Sequence, residues 1–214
     1  MEFAILATDV AVLTVESGVL KVLLTPAKSR TFRGLPALPG GLVAPKERTL
    51  AAAKRILGEV IASADFYIEQ LYTFDSLNRD PAGRVVSVAY LMLIPWNKAR
   101  LITKGEVAWY SVKSLPKLAY DHNEIVRAAV KRLIGKLTYT NMVFGLMPEE
   151  FTLTEIQAIY EAVLGRNLDK RNFRKKIKTL AILKKLAKKR KGDANRPAQL
   201  YGFKEKELKV VEVL

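Results

Sequence analysis

The chain has 214 residues, with 36 Lys and Arg against 21 Asp and Glu for a formal net charge of +15, one His and no Cys. Its length allows one or two domains, and half of its residues are hydrophobic, enough to give each a core. Absence of Cys excludes disulfides, thiolate zinc centres, iron–sulfur clusters and cysteine nucleophiles, and a single His excludes a multi-histidine metal site. The opening run MEFAILATDVAVLTV has no basic leader and carries Asp9, so it reads as a strand and not as a signal peptide. The longest apolar run, residues 85–95, falls far short of the roughly 20 residues that a membrane helix needs. A soluble cytoplasmic protein with no membrane association is expected, with an anionic partner to match its charge.

In chain order, residues 4–15 and 20–25 are β-rich runs separated by Ser17-Gly18, a hairpin signal. A rigid glycine- and proline-rich loop follows, Arg33-Gly-Leu-Pro-Ala-Leu-Pro-Gly-Gly41. The spacing then predicts a helix over residues 49–62 with Leu50, Ala53, Leu57 and Ile61 as its buried stripe. Arg55 and Glu59 lie four apart on the other face, where geometry alone predicts a weak surface ion pair. A second helical pattern places Ile125, Val126, Ala129 and Leu133 on one face, at the start of a linking segment over residues 123–148.

Beyond residue 137 the chain is more basic per residue, and residues 166–196 hold 14 Lys and Arg against only Asp169 and Asp193, a net +12. Apolar residues interrupt this run in register. Thr152-Leu-Thr-Glu155 is a capping box that opens a helix, Leu153, Ile156, Tyr160, Val163 and Leu164 recur on one face, and Gly165 ends it. Asp169 is placed to cap a second helix in which Phe173, Ile177 and Leu180 form the buried stripe and Arg171, Arg174, Lys175 and Lys178 the opposite ridge. Two strand-like runs follow around the turn Gly192-Asp-Ala-Asn-Arg-Pro197, the second over residues 198–203. Cap, turn, cationic helix and hairpin in that order describe a winged helix-turn-helix for double-stranded DNA. Arg171, Asn172 and Arg174 are the candidates for base edges. Lys175, Lys178 and Lys184 are assigned to phosphates, and Arg190, Lys191 and Arg196 to the wing tip. RNA is disfavoured, because no aromatic residues are interleaved with the basic ones for stacking on bases.

The loop and first helix resemble the Nudix box of the diphosphate-hydrolase superfamily: Gly41, Glu47, Arg55, the apolar Leu57 and Glu59 fall at its spacing. The pattern departs at Ile56 and Val60, where the box has glutamates, and at Ala62, where it has glycine. In active members those glutamates hold Mg²⁺, so the resemblance implies a scaffold that has lost hydrolysis, with no metal and no cofactor expected. Gln70-Leu-Tyr-Thr-Phe74, Asn78-Arg-Asp-Pro-Ala-Gly-Arg84 with the strand after it, and Leu118-Ala-Tyr-Asp-His-Asn-Glu-Ile125 are similar to the ligand site of ADP-ribose-type Nudix domains. Phe151-Thr-Leu-Thr-Glu-Ile-Gln157, Leu168-Asp-Lys-Arg-Asn-Phe-Arg-Lys-Lys176 and Arg196-Pro-Ala198 are similar to the winged-helix half of Nudix-related transcriptional regulators of the NrtR type.

The resemblance covers residues 3–203 and implies an α+β protein: a Nudix-like α/β/α sandwich that binds an effector over residues 1–137, then a winged helix-turn-helix over residues 138–214. It further implies a repressor of NAD or sugar metabolism that binds a palindromic operator as a homodimer. Its effector would be ADP-ribose, a related nucleotide or a sugar. Arg30, Arg33, Arg55, Arg79 and Arg84 are available to a diphosphate, Glu59 lies among them, and Tyr72 or Phe74 is placed to stack on a base. His122 reads as a structural or helix-capping group. One alternative is a Nudix hydrolase of ADP-ribose or a similar nucleoside diphosphate derivative, with its carboxylates supplied by Glu69, Asp75 or Glu106. Another is a general RNA- or nucleoid-binding protein on a vestigial scaffold.

Overall fold

The computed structural model describes residues 3–61, 66–102, 105–190 and 197–213. Strand β1 (Ile5–Glu16) is the axis of a seven-stranded sheet. Ser17 and Gly18 both take positive φ (48° and 77°) and turn the chain into β2 (Val19–Pro26), antiparallel to β1. Two such residues make the tight hairpin turn whose twist matches the flanking strands. The short strands β3 (Pro36–Ala37) and β4 (Gly40–Leu42) come from the glycine- and proline-rich loop and pair with β2 and β1. Strand β5 (Tyr67–Phe74) pairs antiparallel with β6 (Val85–Leu93), which lies parallel to β1. Strand β7 (Ala108–Ser111) adds to the far side of β2.

Alternation along the buried strands feeds two cores, because successive side chains point to opposite faces. Val10 and Val12 of β1, with Tyr90, Met92 and Ile94, pack under α1 (Thr49–Gly58) and the short α2 (Trp96–Ala99). Ala11, Leu13 and Val15, with Leu91 and Leu93, pack under α3 (His122–Tyr139). Helices on both faces make an α/β/α sandwich. The helix α1 is shorter than the spacing predicts, and its buried residues are Ala52, Ala53, Ile56 and Leu57. Leu50, expected in the buried stripe, is 40% exposed. The stripe is rotated because Ile56 turns inward.

The second core does not stop at the sandwich. It continues through Met142, Phe144 and Leu146 of a 3₁₀ turn into Phe151, Ile156, Tyr160, Phe173 and Ile177. Phe151 precedes α4 (Leu153–Leu164), which contributes Ile156 and Tyr160, and α5 (Lys170–Thr179) contributes Phe173 and Ile177, so the two halves share one apolar interior. The expected caps form: Thr152 Oγ1 accepts from the Glu155 N–H (3.1 Å), Glu155 Oε2 accepts from the Thr152 N–H (2.6 Å), and Gly165 ends α4 with φ 67°. Asp169 Oδ1 accepts from the Asn172 N–H (2.7 Å) at the start of α5. Strands β8 (Leu183–Arg190) and β9 (Ala198–Phe203) form the wing hairpin, and Phe151 and Tyr201 bridge it to the start of α4. After the wing the chain returns to the end of α3, where the Val211 and Val213 N–H groups donate to Tyr139 and Thr138 carbonyls. No described helix is long and apolar enough to cross a membrane.

Candidate functional site

A cavity of about 840 Å³ opens where β4, the end of α1, the loop after β2 and the start of α3 meet. Its floor is a buried ionic network around Asp9, a charged residue inside an apolar strand. Asp9 Oδ2 accepts from Ser87 Oγ (2.6 Å) and Arg79 Nη2 (3.2 Å). Arg79 also grips Asp121 with two bonds, Nε to Oδ2 (3.0 Å) and Nη2 to Oδ1 (2.8 Å). The Leu38 N–H donates to His122 Nδ1 (2.9 Å), which leaves the ring proton on Nε2, 3.3 Å from Asp9 Oδ1. Burial alone would raise the Asp9 carboxyl; the His122 ring, the Ser87 hydroxyl and the Arg79 guanidinium outweigh it and hold it at about 2. His122, the first residue of α3, is structural here, tying β1, the loop at Leu38 and α3 together.

Along the wall, Arg55 donates through Nε and Nη2 to both oxygens of Glu47 (2.9 and 2.8 Å) and through Nη2 to the Leu42 carbonyl (3.1 Å). Glu59 pairs with Lys28 instead, Nζ to Oε2 at 2.8 Å. The pair expected between Arg55 and Glu59 is therefore replaced by two partners that are distant in sequence. Ile56 and Val60 line the same wall beside Glu59.

Tyr120 closes one side of the cavity. It has φ 55°, uncommon for a residue with a Cβ, and its ring packs between Phe32 (centroids 4.4 Å) and His122 (5.0 Å). Burial raises its hydroxyl above the ordinary tyrosine range.

Of the residues the sequence assigned to the effector, Arg55, Glu59 and Arg79 line the cavity, and Arg79 is already held by two carboxylates. Arg30 and Arg33 lie exposed on the turn beyond Lys28 and Ser29, off the lining. Arg84 donates to the Asp75 and Ser76 carbonyls (2.6 and 3.3 Å), and Phe74 packs into the second core. Tyr72 sits exposed with the Arg132 guanidinium 4.7 Å from its ring. Sequence reasoning missed Lys28, Ser29 and Tyr120; the signal for Tyr120 was its place directly before the Asp-His pair that builds the floor. Glu106 and Asp80 also line the cavity, whereas Glu69 pairs with Arg132 and Lys136 on α3.

The residues present do not fit the magnesium site that the Nudix resemblance implies for hydrolases. A hard divalent cation takes several oxygens, and among the described residues no three His, Asp or Glu side chains are placed to hold a metal ion. The wall offers Glu59, already paired, between two aliphatic side chains.

At the other end, Arg171, Asn172, Lys175 and Lys178 are exposed on α5, opposite the buried Phe173 and Ile177. Arg174 turns back, and its Nη2 donates to Thr154 Oγ1 at 2.8 Å. Lys184 is exposed on β8, while Arg190 is clasped by Glu155 (2.6 Å) and the Glu150 carbonyl (3.3 Å), with Lys188 paired to Glu150 (3.0 Å). Lys191 and Arg196 lie outside the described residues.

Residues 6–132 match the family model of the NUDIX domain, and residues 143–203 match that of the NrtR DNA-binding winged helix domain. This chain belongs to the NrtR family. Over 205 residues this NrtR-family protein is 34% identical to the ADPR responsive transcriptional repressor NtrR of Acinetobacter baylyi, covering 93% of this chain and 82% of that one. It superimposes on Shewanella oneidensis NrtR complexed with a 27mer DNA with a TM-score of 0.83, at 31% identity and 93% coverage of both chains. The NUDIX domain of the same Shewanella protein, complexed with ADP ribose, matches with a TM-score of 0.52 at 30% identity, over 62% of this chain and 90% of that one.

Proposed function

We propose that this NrtR-family protein is an ADP-ribose-responsive transcriptional repressor, a cytoplasmic homodimer that binds a palindromic operator through residues 138–214. Residues 1–137 hold the effector without hydrolysing it. The observation that carries this reading is the joining of two sites by one interior: a cavity at the degenerate Nudix box and an outward cationic helix, packed on the same core. The full-length likeness to a DNA-bound NrtR supports it.

In this reading Arg171 and Asn172 read base edges, and Lys175, Lys178 and Lys184 meet phosphates. Arg174 and Arg190 fix the recognition helix and the wing against α4. Helix α3 is the link. It begins with His122 in the cavity floor and runs 18 residues, about 27 Å, to the shared core beneath the winged helix. The two recognition helices of the dimer must lie about 34 Å apart, or a multiple of it, to enter successive major grooves. An effector that binds one spacing better than the other shifts operator affinity by that difference, of the order of 5- to 150-fold.

Gel-shift titration of the operator with ADP-ribose tests the proposal. Operator affinity is expected to change with effector concentration, with no turnover of ADP-ribose in the presence of Mg²⁺. Constant affinity across the titration would overturn the effector assignment, and steady hydrolysis would overturn the non-catalytic one.

A further inference from the structure

We infer that Lys28 supplies, as an ammonium tethered to the chain, the positive charge that a divalent cation supplies in hydrolytic Nudix sites, so that the diphosphate ligand is held without a metal ion. The inference rests on ADP-ribose being the effector. Three cations line the cavity. Arg79 is buried and held by Asp9 and Asp121. Arg55 spends Nε and Nη2 on Glu47 and the Leu42 carbonyl. Lys28 differs from both. Its one carboxylate partner among the described residues is Glu59, and both side chains are well exposed, at 71% and 51%. Exposed pairs of this kind are weak and exchange partners readily.

An ammonium has three donors, and Glu59 takes one of them. Among the described residues no other side chain accepts from the remaining two, which can meet phosphate oxygens at the same place. Of the two carboxylates that this chain retains from the Nudix box, Glu47 is held by Arg55, and Lys28 Nζ lies 2.8 Å from the other, Glu59, so the ammonium stands where a bound cation would be drawn. Ile56 and Val60 flank that position and offer a divalent ion no oxygens.

The lining carries Asp9, Asp80, Glu59 and Glu106 against Lys28, Arg55 and Arg79. Arg79 is paired with buried Asp9 and Arg55 with Glu47, so Lys28 is the lining cation whose charge a ligand can most readily draw from its partner. Ser29 lines the cavity beside Lys28, and Arg30 stands on the same turn, so the positive potential is concentrated at that edge.

The test is calorimetric titration of the full chain with ADP-ribose, in EDTA and in Mg²⁺. Wild-type affinity is expected to agree within about twofold between the two conditions. Lys28→Met should weaken binding about tenfold to a hundredfold in both, the loss expected for a charge-assisted hydrogen bond to an anion. Lys28→Arg should restore most of it, and Glu59→Gln, which replaces a charged competing acceptor by a neutral one and removes a like charge, should tighten it. Both side chains are exposed, and unchanged melting temperatures would show that the variants fold. Wild-type binding that requires Mg²⁺, or wild-type affinity in Lys28→Met, would overturn the inference and leave ADP-ribose standing as the effector. Failure of the wild type to bind ADP-ribose in either condition would overturn the effector reading itself, and the inference with it.

Discussion

Gly40 and Gly41 are adjacent in β4, and adding one methyl to each should have very different consequences. At Gly40 the new carbon would lie 2.0 Å from Asp9 Oδ1, 3.1 Å from Asp9 Cγ and 3.2 Å from the Thr8 carbonyl oxygen. The Asp9 carboxylate cannot swing aside cheaply, since Ser87, Arg79 and His122 all hold it. If it yields, Arg79 loses a buried counter-charge, a change that costs about 3–5 kcal/mol. If β4 yields, the strand lifts from its pairing with β1 at Asp9, at about 1–3 kcal/mol for overpacking. We expect Gly40→Ala to cost about 3 kcal/mol, a melting temperature lower by roughly 6–12 °C for a chain of this size. At Gly41 the nearest atom is Ile56 Cδ1 at 3.3 Å, the end of a flexible side chain, and Gly41→Ala should cost under about 1 kcal/mol. Urea denaturation of both variants, alone and combined with Asp9→Ala, decides the matter. In the Asp9→Ala background both Asp9 contacts are gone and the Thr8 carbonyl oxygen at 3.2 Å remains, so the extra cost of Gly40→Ala should fall below about 1 kcal/mol. Equal costs at the two glycines, or strict additivity with Asp9→Ala, would refute the clash as the cause.

Asp9 also predicts a pH dependence. Its folded carboxyl is held at about 2 against an ordinary 3.8, so it contributes about 2 kcal/mol that is fully present above pH 3.8 and is lost as pH falls through 2. Asp9→Asn should flatten acid unfolding in that window; an unchanged slope would remove Asp9 as the cause. On DNA, Arg171→Ala should weaken operator binding more than binding to random sequence, whereas Lys184→Ala should weaken both alike and lower the salt slope by about one. Equal losses for Arg171→Ala would take it out of base readout. Thr152→Ala removes the hydroxyl that caps α4 by accepting from the Glu155 N–H, keeps the backbone N–H that donates to Glu155 Oε2, and should cost about 1 kcal/mol by chemical denaturation. A neutral result would mean that solvent satisfies the helix end equally well.

The winged helix was the more legible half in the sequence because its signals are local. A capping box, a glycine beyond the last apolar residue and an Asp before the next helix each act within four residues, and all three form as the spacing predicts. The effector site was less legible because its partners are distant in the chain. Arg55 finds Glu47, Glu59 finds Lys28, and Arg79 finds Asp9 and Asp121 across 70 and 42 positions. Four of the seven residues assigned to the ligand therefore stand off the cavity, while Lys28 and Tyr120 line it.

By itself, then, the sequence determined what periodicity and composition can carry: two halves, a cationic helix with an apolar back, and a Nudix box short of its carboxylates. Tertiary structure decided which charges are free to act. A buried guanidinium must be paired, and only packing brings Asp9 and Asp121 to Arg79. An exposed ammonium can exchange its partner, and only packing puts Lys28 at the cavity edge beside Glu59. The shared core likewise depends on long-range burial, because the apolar faces of α3 and α4 are each readable alone but their contact through Phe144 and Phe151 exists only in the folded chain.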